Sequence, residues 1–229
     1  MRFGLQKLTL LDYPGLVACT IFCKGCNFAC PFCHNASLVN GAGELPLDLS
    51  GIVDFLKKRT GILDGICLTG GEPLLGDGML EIAAEAKKLG YKVKLDTNGS
   101  FPEKLMAAVD KKLVDYVAMD IKAPLSKYPQ VCMNDSVSEA VSRSVEYLKS
   151  KPVEFEFRTT VAGTLHEVVD FAEIGKWIAP VERYFLQPFA DSGDILGSDA
   201  ASYVASNEFL QACLAEVQKF VPSAVIRGR

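Results

Sequence analysis

Short apolar runs alternate with amphipathic segments along most of the chain. The apolar runs predict six strands, at residues 17–22, 65–69, 92–96, 115–120, 154–161 and 183–187. Segments with helical spacing of their apolar residues follow, and they predict helices at 49–59, 79–89, 102–111, 137–148, 167–178 and 206–220. The pattern therefore indicates six successive β–α units.

A series of β–α units predicts a parallel sheet, because parallel strands need crossover connections. Chemically unusual residues follow nearly every predicted strand, and barrel enzymes collect their sites from several strand ends on one face. An open doubly wound sheet would instead concentrate them at one switch point. Six units are fewer than the eight of a closed barrel. We therefore predict an α/β fold, a partial (β/α)6 TIM-like barrel that is laterally open, in a single domain spanning residues 1–229.

Composition narrows the class of protein. The 229 residues are 49% hydrophobic and 23% charged, as expected for a globular protein with its own core. The net charge of −4 argues against a nucleic-acid partner. No apolar run approaches the roughly 20 residues that span a bilayer, and the first residues do not form a signal peptide. We expect a cytoplasmic protein without a membrane partner.

The eight cysteines are unevenly distributed. Five crowd into one short stretch, at Cys19, Cys23, Cys26, Cys30 and Cys33, whereas Cys67, Cys132 and Cys213 are scattered and are expected to pack in the core. The size of the chain and the lack of an export signal argue against a disulfide framework. Crowded cysteines in such a protein indicate metal binding or catalysis.

Within the loop of residues 23–35, Cys26, Cys30 and Cys33 have the spacing C-x3-C-x2-C. Three cysteines on a four-iron cluster leave one iron without a protein ligand, and an open metal position can bind a guest molecule. A structural zinc site with Cys23 as the fourth ligand is the alternative, although zinc pairs normally have a longer spacer. Cys23 is either a packing residue at the strand end or a ligand that reaches the open iron when the guest molecule is absent, and His34 either hydrogen-bonds near the cluster sulfurs or faces solvent.

Polar residues at the other strand ends are candidates for ligand binding. Gly70 and Gly71 would allow close approach of the backbone to a ligand, and the Glu72 carboxylate could accept hydrogen bonds from an ammonium group. Arg158 on a predicted barrel strand needs an anionic partner, either a ligand carboxylate or an internal one such as Glu156 or Asp120.

The three-cysteine motif and the GGE motif together resemble the radical S-adenosylmethionine (SAM) superfamily. The likeness is closest to the activating proteins of anaerobic ribonucleoside-triphosphate reductase, and weaker to pyruvate formate-lyase activating enzymes. It covers nearly the whole chain and rests on motifs in a fixed order, namely TLLDYPG, GCNF, CPFCHN, GGEPLL, DTNG, DIKAP and EFRTTV.

The resemblance implies the cofactors and the residues that bind them. It implies a [4Fe–4S] cluster on Cys26, Cys30 and Cys33, with SAM on the open iron. The residues it implies around SAM are Gly70, Gly71 and Glu72 at the amino group, together with Asp96, Asn98, Asp120, Lys122 and Arg158. It also suggests a monovalent cation near Asp96, Thr97 and Asp120. Ala190 departs from the pattern, because some relatives carry a histidine there.

The resemblance also implies a function. Such an enzyme reductively cleaves SAM to a 5′-deoxyadenosyl radical and generates a glycyl radical on a partner enzyme, here anaerobic ribonucleoside-triphosphate reductase. The absence of a second cysteine-rich insert suggests that flavodoxin or ferredoxin supplies the electron directly. The alternatives are a radical SAM enzyme acting on a small molecule, as in deazapurine synthesis, and a non-catalytic zinc- or cluster-binding interaction module.

Overall fold

The structure, a computed structural model, describes residues 1–41 and 45–228. Its strands form one sheet in which the spatial order equals the chain order. The strands are β1 Gly4–Thr9, β2 Ala18–Cys23, β3 Gly65–Gly70, β4 Lys92–Thr97, β5 Tyr116–Asp120, β6 Glu154–Val161, β7 Tyr184–Pro188 and β8 Val225–Ile226.

Helices connect these strands on the outside of the sheet. They are α1 Ala36–Val39, α2 Leu49–Arg59, α3 Gly78–Lys88, α4 Pro102–Asp110, α5 Tyr128–Cys132, α6 Ser138–Lys149, α7 Val168–Ile178, α8 Ala200–Tyr203 and α9 Asn207–Gln218. Several begin with the expected signals: Asp48 and Ser206 cap α2 and α9, and proline occupies the first turn of α4.

The sheet is an open barrel. Strands β2 to β8 are parallel to their neighbours, and β1 pairs with β2 in the antiparallel direction. Within residues 1–41 and 45–228, no ladder joins β8 to β1, so the barrel has an unclosed side. The predicted partial (β/α)6 barrel is confirmed, since β2 to β7 are its six parallel strands.

The predicted bounds agree with the structure to within two residues for all six strands and all six long helices. Strands β1 and β8 and the short helices α1, α5 and α8 were not predicted. Strand β1 gives a weak pattern because Gln6, Lys7 and Leu8 are all exposed. Strand β8 has only two residues, too few for any periodic signal.

Side-chain alternation along the strands separates an apolar layer from a polar barrel interior. In β4, Val93 and Leu95 belong to the large apolar cluster that also includes buried residues of the helices, whereas Lys94 and Asp96 point to the opposite face. A small apolar cluster of Tyr13, Ala18, Tyr116 and Ala118 lies on the inner side, where the Tyr13 and Tyr116 rings are 6.0 Å apart. The charged side chains of these strands therefore lie on the inner face of the barrel.

Glu156, on β6, is a buried carboxylate whose partners lie within the chain. It accepts a hydrogen bond of 2.8 Å from the Tyr116 hydroxyl, and two from the Arg227 guanidinium, also of 2.8 Å. Arg227 follows β8, so this bidentate pair fixes the end of the chain to the barrel. Among the described helices, none is long and apolar enough to cross a membrane.

Candidate active site at the strand ends

The cysteine-rich loop follows β2 at the carboxyl end of the barrel. Cys30 is buried, and Cys26 and Cys33 are partly buried, beside the buried rings of Phe28 and Phe32. Cys33 and Cys30 share a turn, with the Cys33 N–H donating to the Cys30 carbonyl at 2.9 Å. Among the described residues, no three His, Cys, Asp or Glu side chains converge on one metal-ion position. In a four-iron cluster each cysteine binds a different iron, so the three sulfurs do not have to converge on one point.

Gly70 and Gly71 bring the end of β3 against this loop. A Cβ atom on Gly71 would lie 1.9 Å from the Gly25 carbonyl oxygen, and one on Gly70 would lie 2.4 Å from the Cys23 carbonyl oxygen. Gly70 also has φ = +119°, which strongly favours glycine. The structure thus adds a second reason for these glycines: only a residue without a side chain fits between the two loops.

The Glu72 carboxylate is buried and joins two strand-end loops. It accepts hydrogen bonds from the Leu74 N–H at 3.0 Å, the Thr97 hydroxyl at 2.8 Å and the Asn98 N–H at 2.7 Å. Burial raises its pKa to about 7, although these donors act in the opposite direction. In this structure Glu72 therefore fixes the GGE turn to the DTNG turn, which the motif alone did not indicate.

Five charged side chains of alternating sign cross the barrel interior and are called the charge chain below: Lys94, Asp96, Arg158, Asp120 and Lys122. Arg158 donates from Nη1 to Asp96 at 3.2 Å and from Nε to Asp120 at 2.9 Å. Lys94 pairs with Asp96 at one end, and Lys122 pairs with Asp120 at 2.9 Å at the other. Burial alone would raise the pKa of both aspartates, but Arg158 and the lysines hold both pKa values below the usual range. Of the two internal carboxylates considered as partners of Arg158, Asp120 forms an ion pair with it, whereas Glu156 forms its ion pair with Arg227. Asp96 is a second partner of Arg158 that was not predicted.

The oxygens suggested for a monovalent cation are already in use. The Thr97 hydroxyl donates to Glu72 and accepts from the Gly99 N–H at 3.1 Å. The Asp96 and Asp120 carboxylates are bridged by the Arg158 guanidinium, which supplies positive charge between them. This donor set, as arranged, does not fit a further cation.

The environment of the loop cysteines suits thiolate ligands of a metal cluster. Burial raises the pKa of Cys26 to about 11, so a metal must displace the proton for the thiolate to form. The Cys26 sulfur has two N–H donors, the Phe28 backbone at 3.4 Å and the Asn98 side chain at 3.8 Å. Donors around the sulfurs and apolar rings beside them are features of iron–sulfur sites.

Cys132 lies next to this loop, which was not predicted. It is buried on α5, and its carbonyl accepts the Ala29 N–H at 3.0 Å. A hydrogen bond from the Cys132 thiol lowers the pKa of Cys30. Cys132 was expected only to pack in the core, whereas the structure shows that it also contacts the cysteine-rich loop. Cys23, by contrast, belongs to the apolar cluster at the end of β2, where burial raises its pKa to about 12.

Two further residues of the site were missed. Lys94 is almost fully buried with its amine beside Asp96 and 3.8 Å from the Cys67 sulfur. Its place in the run KVKLD puts it on the same strand face as Asp96, so the alternation could have revealed it. His166 accepts the Ala162 N–H at 3.0 Å and lies 2.8 Å from the Lys122 carbonyl, and no sequence pattern indicates these contacts.

The segment of residues 191–197, after β7, crosses the cysteine-rich loop. The Leu196 N–H donates to the Cys33 carbonyl at 3.2 Å, and the Gly197 N–H donates to the Pro31 carbonyl at 2.7 Å. The Asp194 carboxylate accepts from the Ser37 hydroxyl at 2.7 Å. The cysteine-rich loop is therefore held by four segments that follow strands, those after β3, β4, β5 and β7.

Comparison with known protein families matches this arrangement. The family model described as the Radical SAM superfamily matches residues 20–176, which include the cysteine-rich loop, both turns and the charge chain. The chain belongs to the radical SAM superfamily, and it is a radical SAM enzyme. The cofactors of that superfamily are a [4Fe–4S] cluster and SAM.

Similar proteins indicate to which group within the superfamily the chain belongs. A putative glycyl-radical enzyme activating enzyme of Methanocaldococcus jannaschii is 34% identical over 193 residues, which is 81% of this chain and 78% of the relative. The pyruvate formate-lyase-activating enzyme of Clostridium pasteurianum is 25% identical over 83% of this chain and 82% of its own. A 7-carboxy-7-deazaguanine synthase of Thermoplasma acidophilum is 30% identical over 60% of this chain and 61% of its own. Within the superfamily, the chain is placed among the glycyl-radical-enzyme activating proteins.

Solved structures show the same fold. SuiB of Streptococcus suis, bound to S-adenosylmethionine, superposes with a TM-score of 0.68 over 90% of this chain and 48% of that chain, at 10% sequence identity. At this identity the likeness concerns the fold alone.

Proposed function

We propose that this protein is an activase that generates a glycyl radical on a partner enzyme. The cluster and SAM, when bound, supply the chemistry: one electron cleaves the sulfonium and yields a 5′-deoxyadenosyl radical that abstracts hydrogen from a glycine. The observation that carries the proposal is the position of Cys26, Cys30 and Cys33 at the strand ends, packed on the GGE and DTNG turns of an open barrel.

In this proposal the three cysteines hold the cluster, and the turn of residues 70–72 binds the SAM amino group through its backbone. Because the Glu72 carboxylate already accepts three hydrogen bonds within the chain, its part is to fix that turn. Asp96 and Asn98 complete this wall of the site from the end of β4.

The charge chain has the composition needed to receive the SAM carboxylate. Lys94, Arg158 and Lys122 are three cations, whereas Asp96 and Asp120 are only two carboxylates. A ligand carboxylate would therefore balance the chain, with Arg158 and Lys122 as its partners. The proposal includes no monovalent cation between the aspartates, since the Arg158 guanidinium bridges them.

The barrel interior favours a protein substrate over a small polar one. The described interior charges at Lys94, Asp96, Asp120, Glu156 and Arg158 are all paired within the chain, which leaves few groups to recognise a small molecule. The unclosed side offers a route for a glycine-bearing loop. The proposed partner is anaerobic ribonucleoside-triphosphate reductase, and the proposed electron donor is flavodoxin or ferredoxin.

Anaerobic reconstitution with iron, sulfide and SAM tests the proposal. We expect about four iron and four sulfide per chain rather than one zinc. Reductant should release 5′-deoxyadenosine, and electron paramagnetic resonance should detect a glycyl radical on the partner reductase. A partner variant whose acceptor glycine is replaced by alanine should give no such signal.

Two matched cysteine variants complete the experiment. Cys30→Ala should abolish both cluster loading and deoxyadenosine release, whereas Cys213→Ala, in the core beside α7, should leave both intact. Deoxyadenosine release without a glycyl radical on any candidate partner would contradict the activase proposal. Absence of release from fully iron-loaded protein would contradict the radical chemistry itself.

A further inference from the structure

The side-chain amide of Asn98 points at a cluster ligand. Its Nδ2 lies 3.8 Å from the Cys26 sulfur and 3.1 Å from the Asn27 Oδ1. The sequence motif had suggested contact with SAM for this residue. In the structure its donor group lies against the first cysteine of the loop.

The orientation of this amide follows from its neighbours. The Asn98 Oδ1 accepts from the Ser100 N–H at 2.9 Å and from the Ser100 hydroxyl at 2.6 Å. If the amide were reversed, an acceptor oxygen would face the Cys26 sulfur and the Asn27 oxygen, and both Ser100 donors would face an NH2 group. The hydrogen-bond network therefore assigns the NH2 group to the sulfur.

The surroundings hold Asn98 in place. It is buried, and its backbone N–H donates to Glu72 at 2.7 Å. On the other side, the Asn27 Nδ2 donates to the Ser100 hydroxyl at 2.9 Å, and Asn134 donates to the Asn27 carbonyl at 2.9 Å. A donor fixed by this many contacts needs no reorganisation when the charge on the sulfur changes.

We infer that Asn98 is a positioning residue that donates a hydrogen bond to the Cys26 thiolate and thereby raises the reduction potential of the cluster. Reduction adds one electron to the cluster from an external reductant, with no bond formed or broken and no proton transferred. The added negative charge spreads over the sulfurs, so an N–H donor stabilises the reduced form more than the oxidised form. The inference rests on the cluster assignment of the proposed function, but it does not require the activase activity.

Redox titration of the reconstituted protein, without SAM or partner, tests the inference. Asn98→Asp keeps the shape and the oxygen that Ser100 needs but removes the donor, and Asn98→Ala removes the whole group. Both variants should take up the cluster and show a lower midpoint potential than the wild type, measured from the electron paramagnetic resonance signal of the reduced cluster. Asn207→Ala, at an exposed asparagine on α9 outside this network, is the control and should leave the midpoint potential unchanged.

Several results would overturn the inference. One is an unchanged potential in both variants at full iron content. Another is weaker SAM binding at an unchanged potential, which would make Asn98 a SAM contact. Loss of cluster loading in both variants, with normal circular dichroism, would assign Asn98 a purely structural part. Because SAM and partner are absent from the titration, failure of the activase proposal would leave this measurement valid.

Discussion

Arg158 and Asp120 form the central ion pair of the site, with 2.9 Å between Nε and Oδ1. Replacing Arg158 by Gln removes this pair and the contact with Asp96. Because hydrogen bonds between charged, partly buried groups are worth more than neutral ones, we expect the free energy of unfolding of the apoprotein to fall by about 2 kcal/mol at pH 7. Urea unfolding measures this change.

The same variant should change the response to acid. The folded pKa values of Asp96 and Asp120 are lowered, so their stabilising effect is present above pH of about 4 and is lost as the pH falls further. The Arg158→Gln variant should therefore lose less stability on acidification than the wild type. Arg143→Gln, which removes an exposed pair with Glu103, is the control and should cost about 0.5 kcal/mol or less. Equal losses of unfolding free energy at pH 7 for Arg158→Gln and Arg143→Gln would contradict the prediction.

Glu72 should give an opposite dependence on pH. Its folded pKa is raised to about 7 from an ordinary value near 4.5, so its stabilising effect is complete below pH 4.5 and is lost as the pH rises through 7. Glu72→Gln removes this titration. The stability of the wild type relative to this variant should fall by about 3 kcal/mol between pH 4.5 and 8, measured by urea unfolding of the apoproteins.

A control for Glu72 lies on the surface. Glu103→Gln alters an exposed carboxylate on α4 whose pKa is lowered by hydrogen bonds from its own backbone N–H and from Arg143, so the stability of the wild type relative to this variant should not fall between pH 4.5 and 8. A constant difference for Glu72→Gln over this range would mean that its carboxylate ionises normally in the folded protein.

Gly71→Ala should displace the cysteine-rich loop. The new methyl group would lie 1.9 Å from the Gly25 carbonyl oxygen, so the backbone of one loop must move. We expect a loss of stability of about 1–3 kcal/mol, typical of overpacking, and a lower iron content after reconstitution. Gly228→Ala, where a methyl group meets no atom within 4 Å, should change neither. Full iron loading of Gly71→Ala would show that the loop tolerates the shift.

His166 should stabilise the folded state only while neutral. Burial lowers its pKa, and its Nδ1 must accept the Ala162 N–H, so protonation favours unfolding. Its contribution is present above pH of about 6.5 and is lost as the pH falls through the lowered folded value. His166→Gln should therefore flatten the stability profile between pH 8 and 5 in thermal unfolding. An unchanged profile for His166→Gln would contradict the prediction.

The fold could be predicted well because buried apolar residues recur at alternate positions along the strands, as at Val93 and Leu95 of β4, and give each strand a definite length. Strand β1 escaped prediction because three of its six residues are exposed, and β8 because two residues carry no period. In the site, the positions of Cys26, Glu72 and Arg158 could be predicted, since carboxyl ends of parallel strands meet at one edge.

The partners of those residues could not be predicted from the sequence. The two hydrogen bonds from Arg158 join residues 38 and 62 positions apart in the chain, and a choice among several internal carboxylates depends on the curvature of the sheet. Likewise, contact between Cys132 and Cys30 requires that α5 fold back beneath the cysteine-rich loop, a placement that no local pattern encodes. Long-range pairing of this kind is set by tertiary packing alone.

Within the part of the chain that the structure describes, no strand pairs with the outer edge of β1 or of β8, and this has a topological consequence for any protein substrate. A closed barrel can be entered only through its mouth, so a polypeptide would have to thread in as a free end or as a sharply doubled hairpin. A barrel with a lengthwise seam accepts a segment from the side, while both flanks of that segment stay attached to their own globule. Release then requires only a sideways withdrawal, and the same molecule is free to serve one acceptor after another.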